Sequence, residues 1–161
     1  MNYNTFTLDN GLRIIHLPYQ GEVVYCGYAV AAGTSDELEG EEGLAHFCEH
    51  MTFKGTEHLT SIQVINTLER VGGELNAFTT KEETFYYAAI LRQHFGKAVK
   101  LLTDIVFHST YPQHEIDKEM EVVCDEIESY RDSPAELIYD EFENRIFNGH
   151  PLGHNVLGDK D

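Results

Sequence analysis

The chain has 161 residues, 42% hydrophobic and 24% charged, which is the composition of a globular domain. Its 28 acidic residues outnumber 11 Lys and Arg residues, and a formal net charge of −17 excludes nucleic acid as a partner. No apolar run approaches the ~18–20 residues of a membrane span, and residues 1–10 lack the pattern of a secretory signal. We therefore expect one domain over residues 1–161, no membrane association and a cytoplasmic location. The chain has three cysteines and no CxxC pair, so a disulfide framework is not expected, which agrees with a reducing compartment.

Strand signals dominate the first half of the chain. Five segments have the alternating or β-branched pattern typical of strands, namely 5–8, 12–17, 23–32, 74–79 and 84–91. Asp9-Asn10-Gly11 lies between the first two and is a strong hairpin signal.

Helix signals dominate the second half. Helices are expected over 44–53, 60–71, 93–108, 113–130 and from Ser133 onward. Thr60 with Gln63, and Ser133 with Glu136, have the spacing of capping boxes. Strands first and helices after predict an α+β fold, with a mainly antiparallel sheet and helices packed on one of its faces.

The segment 44–53 carries residues that suit a metal site. His46, Glu49 and His50 have the spacing that places side chains on one face of a helix. Two neutral imidazoles one turn apart can bind one zinc ion, which lowers the pKa of a coordinated water to about 7. Glu49 is poorly placed as a third ligand but can accept a proton from that water. This His-x-x-Glu-His order is the inverzincin signature.

Chance is the alternative for so short a pattern, since many helices carry solvated His and Glu side chains. The rest of this helix is apolar, however, and buried polar side chains need partners. A metal ion supplies them, which favours a metal site. The apolar residues are Leu44, Ala45, Phe47, Met51 and Phe53.

A catalytic zinc needs a third protein ligand and one open position. The acidic helix predicted over 113–130 is the best source, because Glu119 and Glu126 are two turns apart beside an apolar stripe that would press the helix onto the core. The stripe consists of Met120, Val123 and Ile127. One carboxylate could be a ligand and the other could support the site. By spacing alone, a solvated acidic face explains the two carboxylates better.

Three blocks of sequence resemble the pitrilysin family of zinc peptidases, which includes insulin-degrading enzyme and mitochondrial processing peptidase. They are 43–56, 72–79 with the following Glu83-Thr84 and Tyr86-Tyr87, and 119–126, in the family's order over essentially the whole chain. The resemblance implies a zinc-dependent endopeptidase that cleaves peptides or unfolded segments through a metal-activated water. It implies one Zn²⁺ per chain, with His46, His50 and Glu126 as ligands.

The resemblance also assigns roles that spacing leaves open. Glu49 would be the catalytic base, and Glu119 would support the metal site. Asn76 and Ala77 would bind a peptide that lies alongside as an added strand, although a strand-end turn residue is the alternative for Asn76. Cys48 stands where the family commonly has an aliphatic residue, and we expect it to face the core and to be inert.

In the family, this domain pairs with a similar second domain whose Arg and Tyr complete the site. We therefore expect a truncated N-terminal half that is weakly active or inactive alone and that pairs with a C-terminal half or a second copy. One alternative is a non-catalytic scaffold subunit of the same family, although the four motif residues are intact. Another is S-ribosylhomocysteine lyase, which takes a cysteine as third ligand, but Cys124 lacks that family's glycine-cysteine context.

Overall fold

The computed structural model describes residues 2–160 and has the predicted α+β architecture. Its strands are β1 Asn4–Thr7, β2 Arg13–His16, β3 Val23–Val30, β4 Glu74–Thr79 and β5 Thr84–Leu91. Its helices are α1 Leu44–Thr52, α2 Ser61–Glu69, α3 Phe95–Phe107, α4 Gln113–Arg131 and α5 Pro134–Ile146. Short 3-10 turns occupy Thr34–Asp36, Arg92–His94 and Pro151–Gly153.

The described strands form two antiparallel sheets. The hairpin β1–β2 forms a two-stranded sheet, as Asp9-Asn10-Gly11 predicts, and every residue of both strands is exposed. The other sheet has the strand order β3-β5-β4, so β5 is central and β4 lies at an edge. In its register Asn76 faces Tyr87 and Ala77 faces Tyr86.

One face of the three-stranded sheet carries the hydrophobic core. Alternate residues of β5 are buried, which is the period-two pattern of a strand with one covered face. Residues of α3 at helical spacing pack on them, together with residues of α2. Burying one such Leu, Ile or Val side chain contributes about 1.5–3 kcal/mol. The core residues are Val64, Leu68, Tyr86, Ala88, Ile90, Ala98, Leu101, Leu102 and Ile105.

Helix α1 begins at a half-buried carboxylate, Glu37, which caps it from upstream in the chain. The backbone amides of Gly43 and Ala45 donate to the two oxygens of Glu37 at 3.0 and 2.7 Å. Gly43 has φ +94°, and a Cβ there would lie 2.6 Å from the carbonyl oxygen of Leu157. Glycine is thus required where the segment after α5 returns to the start of α1, and that segment helps to fix the helix.

Of the two predicted capping boxes, the one at Thr60 forms and the one at Ser133 does not. Gln63 accepts a hydrogen bond from the Thr60 amide at 2.9 Å at the start of α2. The Ser133 side chain makes no capping bond, so Pro134 in the first turn is the one predicted start signal that α5 retains. None of the helices within residues 2–160 combines the length and apolar character that crossing a bilayer requires.

Candidate metal centre

Helix α1 presents His46, Glu49 and His50 on one face, as their spacing requires. His46 and Glu49 are each only 8% exposed. The two imidazole rings stand edge to face with their centroids 4.6 Å apart. A short helix that packs against α4 on one side and β4 on the other therefore buries one imidazole and a carboxylate and partly covers the second imidazole.

Helix α4 brings a second carboxylate to the two imidazoles. The Oε2 atom of Glu126 lies 3.9 Å from His46 Nε2 and 3.5 Å from His50 Nε2. Within residues 2–160 these three residues are the one group that brings three potential metal-ligand atoms within 4.8 Å of one another. Val123 and Ile127 are buried on the same helix and hold α4 in this position, but the prediction for Met120 was wrong, because its side chain is 56% exposed. Cys124, the ligand that a lyase-type site would need, does not belong to the group.

The chemistry of this group fits a zinc ion. Two imidazole nitrogens and one carboxylate oxygen are a set of ligands that zinc accepts, and three ligands leave a position open. Burial, followed by the neighbouring His50, lowers the pKa of His46, which favours the neutral imidazole that a metal needs. The Nδ1 atom of His46 is buried without a hydrogen-bond partner in the described part of the chain. Its Nε2 atom is the one turned toward Glu126.

Glu119 and Lys54 fix the second imidazole. His50 Nδ1 donates to Glu119 Oε1 at 2.9 Å, and Lys54 Nζ donates to Oε2 at 2.5 Å. Burial opposes ionisation of Glu119, but the hydrogen bonds from Lys54 and His50 outweigh it and lower its pKa. The ionised carboxylate keeps the proton of His50 on Nδ1 and leaves Nε2 free to act as a ligand. Lys54 was not singled out from the sequence, although it lies inside the block 43–56.

Glu49 lies beside this group but makes a different contact. Thr79, the last residue of β4, donates from Oγ1 to Glu49 Oε2 at 2.6 Å. Burial raises the pKa of Glu49, and the Thr79 hydrogen bond offsets part of that increase. A buried carboxylate with a raised pKa is suited to accept and return a proton near neutral pH. Sequence reasoning missed Thr79, whose position at the end of the block 72–79 was the available signal.

The predicted peptide-binding residues lie on the edge strand next to α1. Asn76 is exposed on β4, and its Oδ1 accepts the backbone amide of Ala77 at 2.9 Å. A peptide added at this edge would have to replace that local bond. The bond between Thr79 and Glu49 ties the end of the same strand to α1.

Cys48 has the surroundings of an inert thiol. Its side chain is half-buried on α1, between His46 and Glu49 in sequence but not among the three potential ligands. Burial, followed by the nearby charge of Glu37, raises the pKa of its thiol. The protonated form is therefore favoured, and a thiol in that form is a poor nucleophile.

Comparison with known proteins shows a consistent set of relatives. Residues 15–160 match the family model described as insulinase, peptidase family M16. An uncharacterized zinc protease of Rickettsia bellii is 40% identical over 159 residues, which cover 98% of this chain and 38% of that protein. The crystal structure of a protease from Helicobacter pylori superposes with a TM-score of 0.93 at 26% identity, over 99% of this chain and 39% of that one.

A third comparison concerns the fold alone. The crystal structure of a peptidase M16 inactive domain from Pseudomonas fluorescens superposes with a TM-score of 0.87 at 19% identity, over 99% of this chain and 39% of that one. The same fold is therefore found in a domain that is described as inactive. This chain spans 38% of the length of its Rickettsia relative.

Proposed function

Because the chain belongs to peptidase family M16, the insulinase family, we propose that it is the metal-binding part of a zinc-dependent endopeptidase. The observation that carries this proposal is the convergence of His46, His50 and Glu126 within 4.8 Å, with the buried carboxylate of Glu49 on the same helix face. His46, His50 and Glu126 would hold one Zn²⁺ per chain, and Glu119 with Lys54 would orient His50. Zinc bound there would lower the pKa of a coordinated water to about 7 and polarise a substrate carbonyl.

Glu49 would move the proton in this reaction. Its Oε2 atom accepts the hydroxyl of Thr79, so Oε1 is the atom left to take a proton from the attacking water. The same oxygen would later deliver that proton to the departing amine, as a general base that becomes a general acid. The raised pKa of this buried carboxyl supports both steps, since it lies closer to neutrality than that of a solvated Glu.

The edge of β4 would hold the peptide substrate. An extended peptide can add to an exposed strand edge through main-chain hydrogen bonds. Asn76 and Ala77 would make such bonds, and the position of β4 at the edge of the sheet supports this role. The link from Thr79 to Glu49 would keep the scissile bond near the base. The net charge of −17 favours cationic peptides at this surface.

A partner would complete the cleft. The chain spans about two-fifths of the relatives' length, at 38% and 39% for the two compared above. Exposed contiguous apolar surface marks interaction sites, and α5 exposes four large apolar side chains, Ile138, Tyr139, Phe142 and Ile146. We propose that a C-terminal half, or a second copy of this domain, supplies the opposite wall, and that the chain alone cleaves peptides weakly or not at all.

A non-catalytic scaffold role is the second candidate. The inactive Pseudomonas domain shares the fold, so the fold by itself favours neither function. The enzyme proposal is favoured by the four motif residues, because a scaffold has no need for a raised-pKa carboxylate beside two imidazoles. The two functions differ in one measurable property, which is hydrolysis that depends on Glu49.

The test is cleavage of a fluorogenic peptide by the chain alone and with a C-terminal half added, across a protein dilution series. We expect activity that appears with the added half and is lost in Glu49→Gln. The matched control is Glu121→Gln, an exposed carboxylate on α4 that should leave the rate unchanged. Equal rates for the two variants would favour the scaffold role, and full activity of the isolated chain at every dilution would overturn the need for a partner.

A further inference from the structure

A second pair of imidazoles lies outside the site described above. His58 follows α1 in the loop before α2, and His108 directly follows the last residue of α3. Their rings stand edge to face, with centroids 5.3 Å apart and an interplanar angle of 79°. The pair at His46 and His50 has nearly the same arrangement, with 4.6 Å and 64°.

Backbone pairing holds the two segments in place. The amide of Glu57 donates to the carbonyl of His108 at 2.9 Å, and the amide of Thr110 donates to that of Gly55 at 3.2 Å. Thr56 and Ser109 form the antiparallel bridge between these bonds. The separation of the two imidazoles is therefore set by main-chain contacts and does not depend on side-chain rotamers alone.

Each imidazole has a carboxylate at its Nδ1 atom. Asp104 Oδ1 lies 2.6 Å from His58 Nδ1, and Thr56 donates to Asp104 Oδ2 at 2.6 Å. Glu57 Oε2 lies 3.6 Å from His108 Nδ1. Metal-binding histidines commonly carry such a carboxylate, which keeps the proton on one ring nitrogen and makes the other a better ligand. The hydrogen bond from His58 to Asp104 thus leaves Nε2 of His58 available. The longer ion pair of His108 with Glu57 is also made at Nδ1 and does not occupy Nε2.

A purely structural role would not require two imidazoles that each lie near a carboxylate. A single His–Asp pair is enough to tie the loop to α3, and His58 with Asp104 already makes that contact. The second imidazole, its own carboxylate and the exposure of the two side chains, 60% for His58 and 43% for His108, are left unexplained. The C-terminal end of α3, where His108 lies, also has a partial negative charge that attracts cations.

We propose that His58 and His108 form a second, accessory zinc site on the surface, with the Nε2 atom of each as ligand. Imidazole suits borderline divalent cations such as zinc. Water, or a group from another molecule, would fill the remaining positions. Two protein ligands here against three at His46, His50 and Glu126 make this the weaker of the two sites, so it would fill second.

The test is a ZnCl₂ titration of the 161-residue chain by isothermal calorimetry, with chelator-stripped protein. We expect a second, weaker binding event. It should weaken at least tenfold in His58→Ala and in His108→Ala, with the first event unchanged. The matched control is His114→Ala, because His114 is exposed and lies 3.3 Å from a carboxylate oxygen of Glu115 but belongs to no described imidazole pair. It should retain both events.

A measurement on the unaltered chain keeps the proposal testable if a variant fails to fold. The imidazole nitrogen signals of His58 and His108 should shift together in NMR spectra as the second equivalent of zinc is added, and those of His114 should not. Absence of a second event, or a second event that persists in the folded double variant of His58 and His108, would overturn the proposal. So would a second equivalent that shifts other histidines and leaves these two unchanged.

Discussion

The two histidine pairs of this chain have similar ring geometry but lie in opposite environments. His46 and His50 come from a single helix, are largely covered, and meet the carboxylate of Glu126. His58 and His108 come from two segments that are 50 positions apart in sequence, are exposed, and each have a carboxylate near Nδ1. The comparison indicates that an imidazole pair is not enough to specify chemistry. Burial, a third ligand and a neighbouring base separate a candidate reaction centre from a candidate surface site.

The largest expected effect is on tight zinc binding. His46→Ala or His50→Ala should reduce the zinc content of purified protein from about one per chain to none, because two ligands in a buried site cannot replace three. Elemental analysis of protein kept away from chelators measures this. His58→Ala, at the exposed pair, should retain the tightly bound zinc. The assignment of His46, His50 and Glu126 as the tight zinc site would be wrong if unaltered protein stays metal-free in excess zinc. It would also be wrong if the exposed pair proves to be the tight site.

The next effect separates metal binding from chemistry at the buried pair. Glu49→Gln should keep the zinc content and lose about 10²–10⁴-fold in peptide hydrolysis with the C-terminal half present, which is the usual loss on removal of a general base. The amide still accepts the Thr79 hydroxyl through its carbonyl oxygen, so the local structure should persist. Hydrolysis near the unaltered rate would remove Glu49 from its proposed role.

A smaller effect is expected from the carboxylate behind His50. Glu119→Gln should weaken zinc binding about 10–100-fold, the usual effect of losing a supporting partner of a metal-bound histidine. Competition with a chromophoric chelator measures the affinity. Asp104→Asn makes the matching change behind His58 and should leave the tight site unaffected. Equal weakening in both variants would show that the change acts on the fold and not on the metal-binding imidazole.

The smallest effect concerns stability and pH at the exposed pair. Burial alone would raise the pKa of Asp104, but hydrogen bonds from Thr56 and His58, and the nearby His108, lower it. Since the folded state has the lower pKa, this contribution to stability is present above the pKa of the unfolded chain and is lost as pH falls through the folded value. Asparagine at this position can still accept the Thr56 hydroxyl, so we expect Asp104→Asn to cost about 0.5–1.5 kcal/mol, the net contribution of one hydrogen bond.

Urea unfolding of unaltered protein and Asp104→Asn measures that contribution. The free energy of unfolding should differ between the two proteins at pH 6, and the difference should shrink as pH falls below about 4, the range in which an unperturbed Asp titrates. A difference that is constant with pH would mean that the charge of Asp104 contributes nothing to the fold.

Local patterns determined most of the elements and half of the candidate site. The strands at 74–79 and 84–91 have the predicted bounds, and α4 ends one residue later than expected. His46, Glu49 and His50 were visible because helix geometry alone places residues three and four apart on one face. Glu126 was not visible in this way. By spacing alone a solvated acidic face explained it better, and resemblance to the family supplied its predicted role. In the structure its side chain is 43% exposed and still reaches His50.

Only the tertiary structure decided which distant side chains meet. Thr79 reaches Glu49 across 30 positions, and Asp104 reaches His58 across 46. Periodicity states which face of an element is covered, but it does not state which residue of another element lies opposite. That depends on how α1 packs against β4 and α4, and on how the loop after α1 pairs with the end of α3. The sequence by itself therefore determined the buried histidine pair, whose geometry is local, and the exposed pair emerged from packing alone.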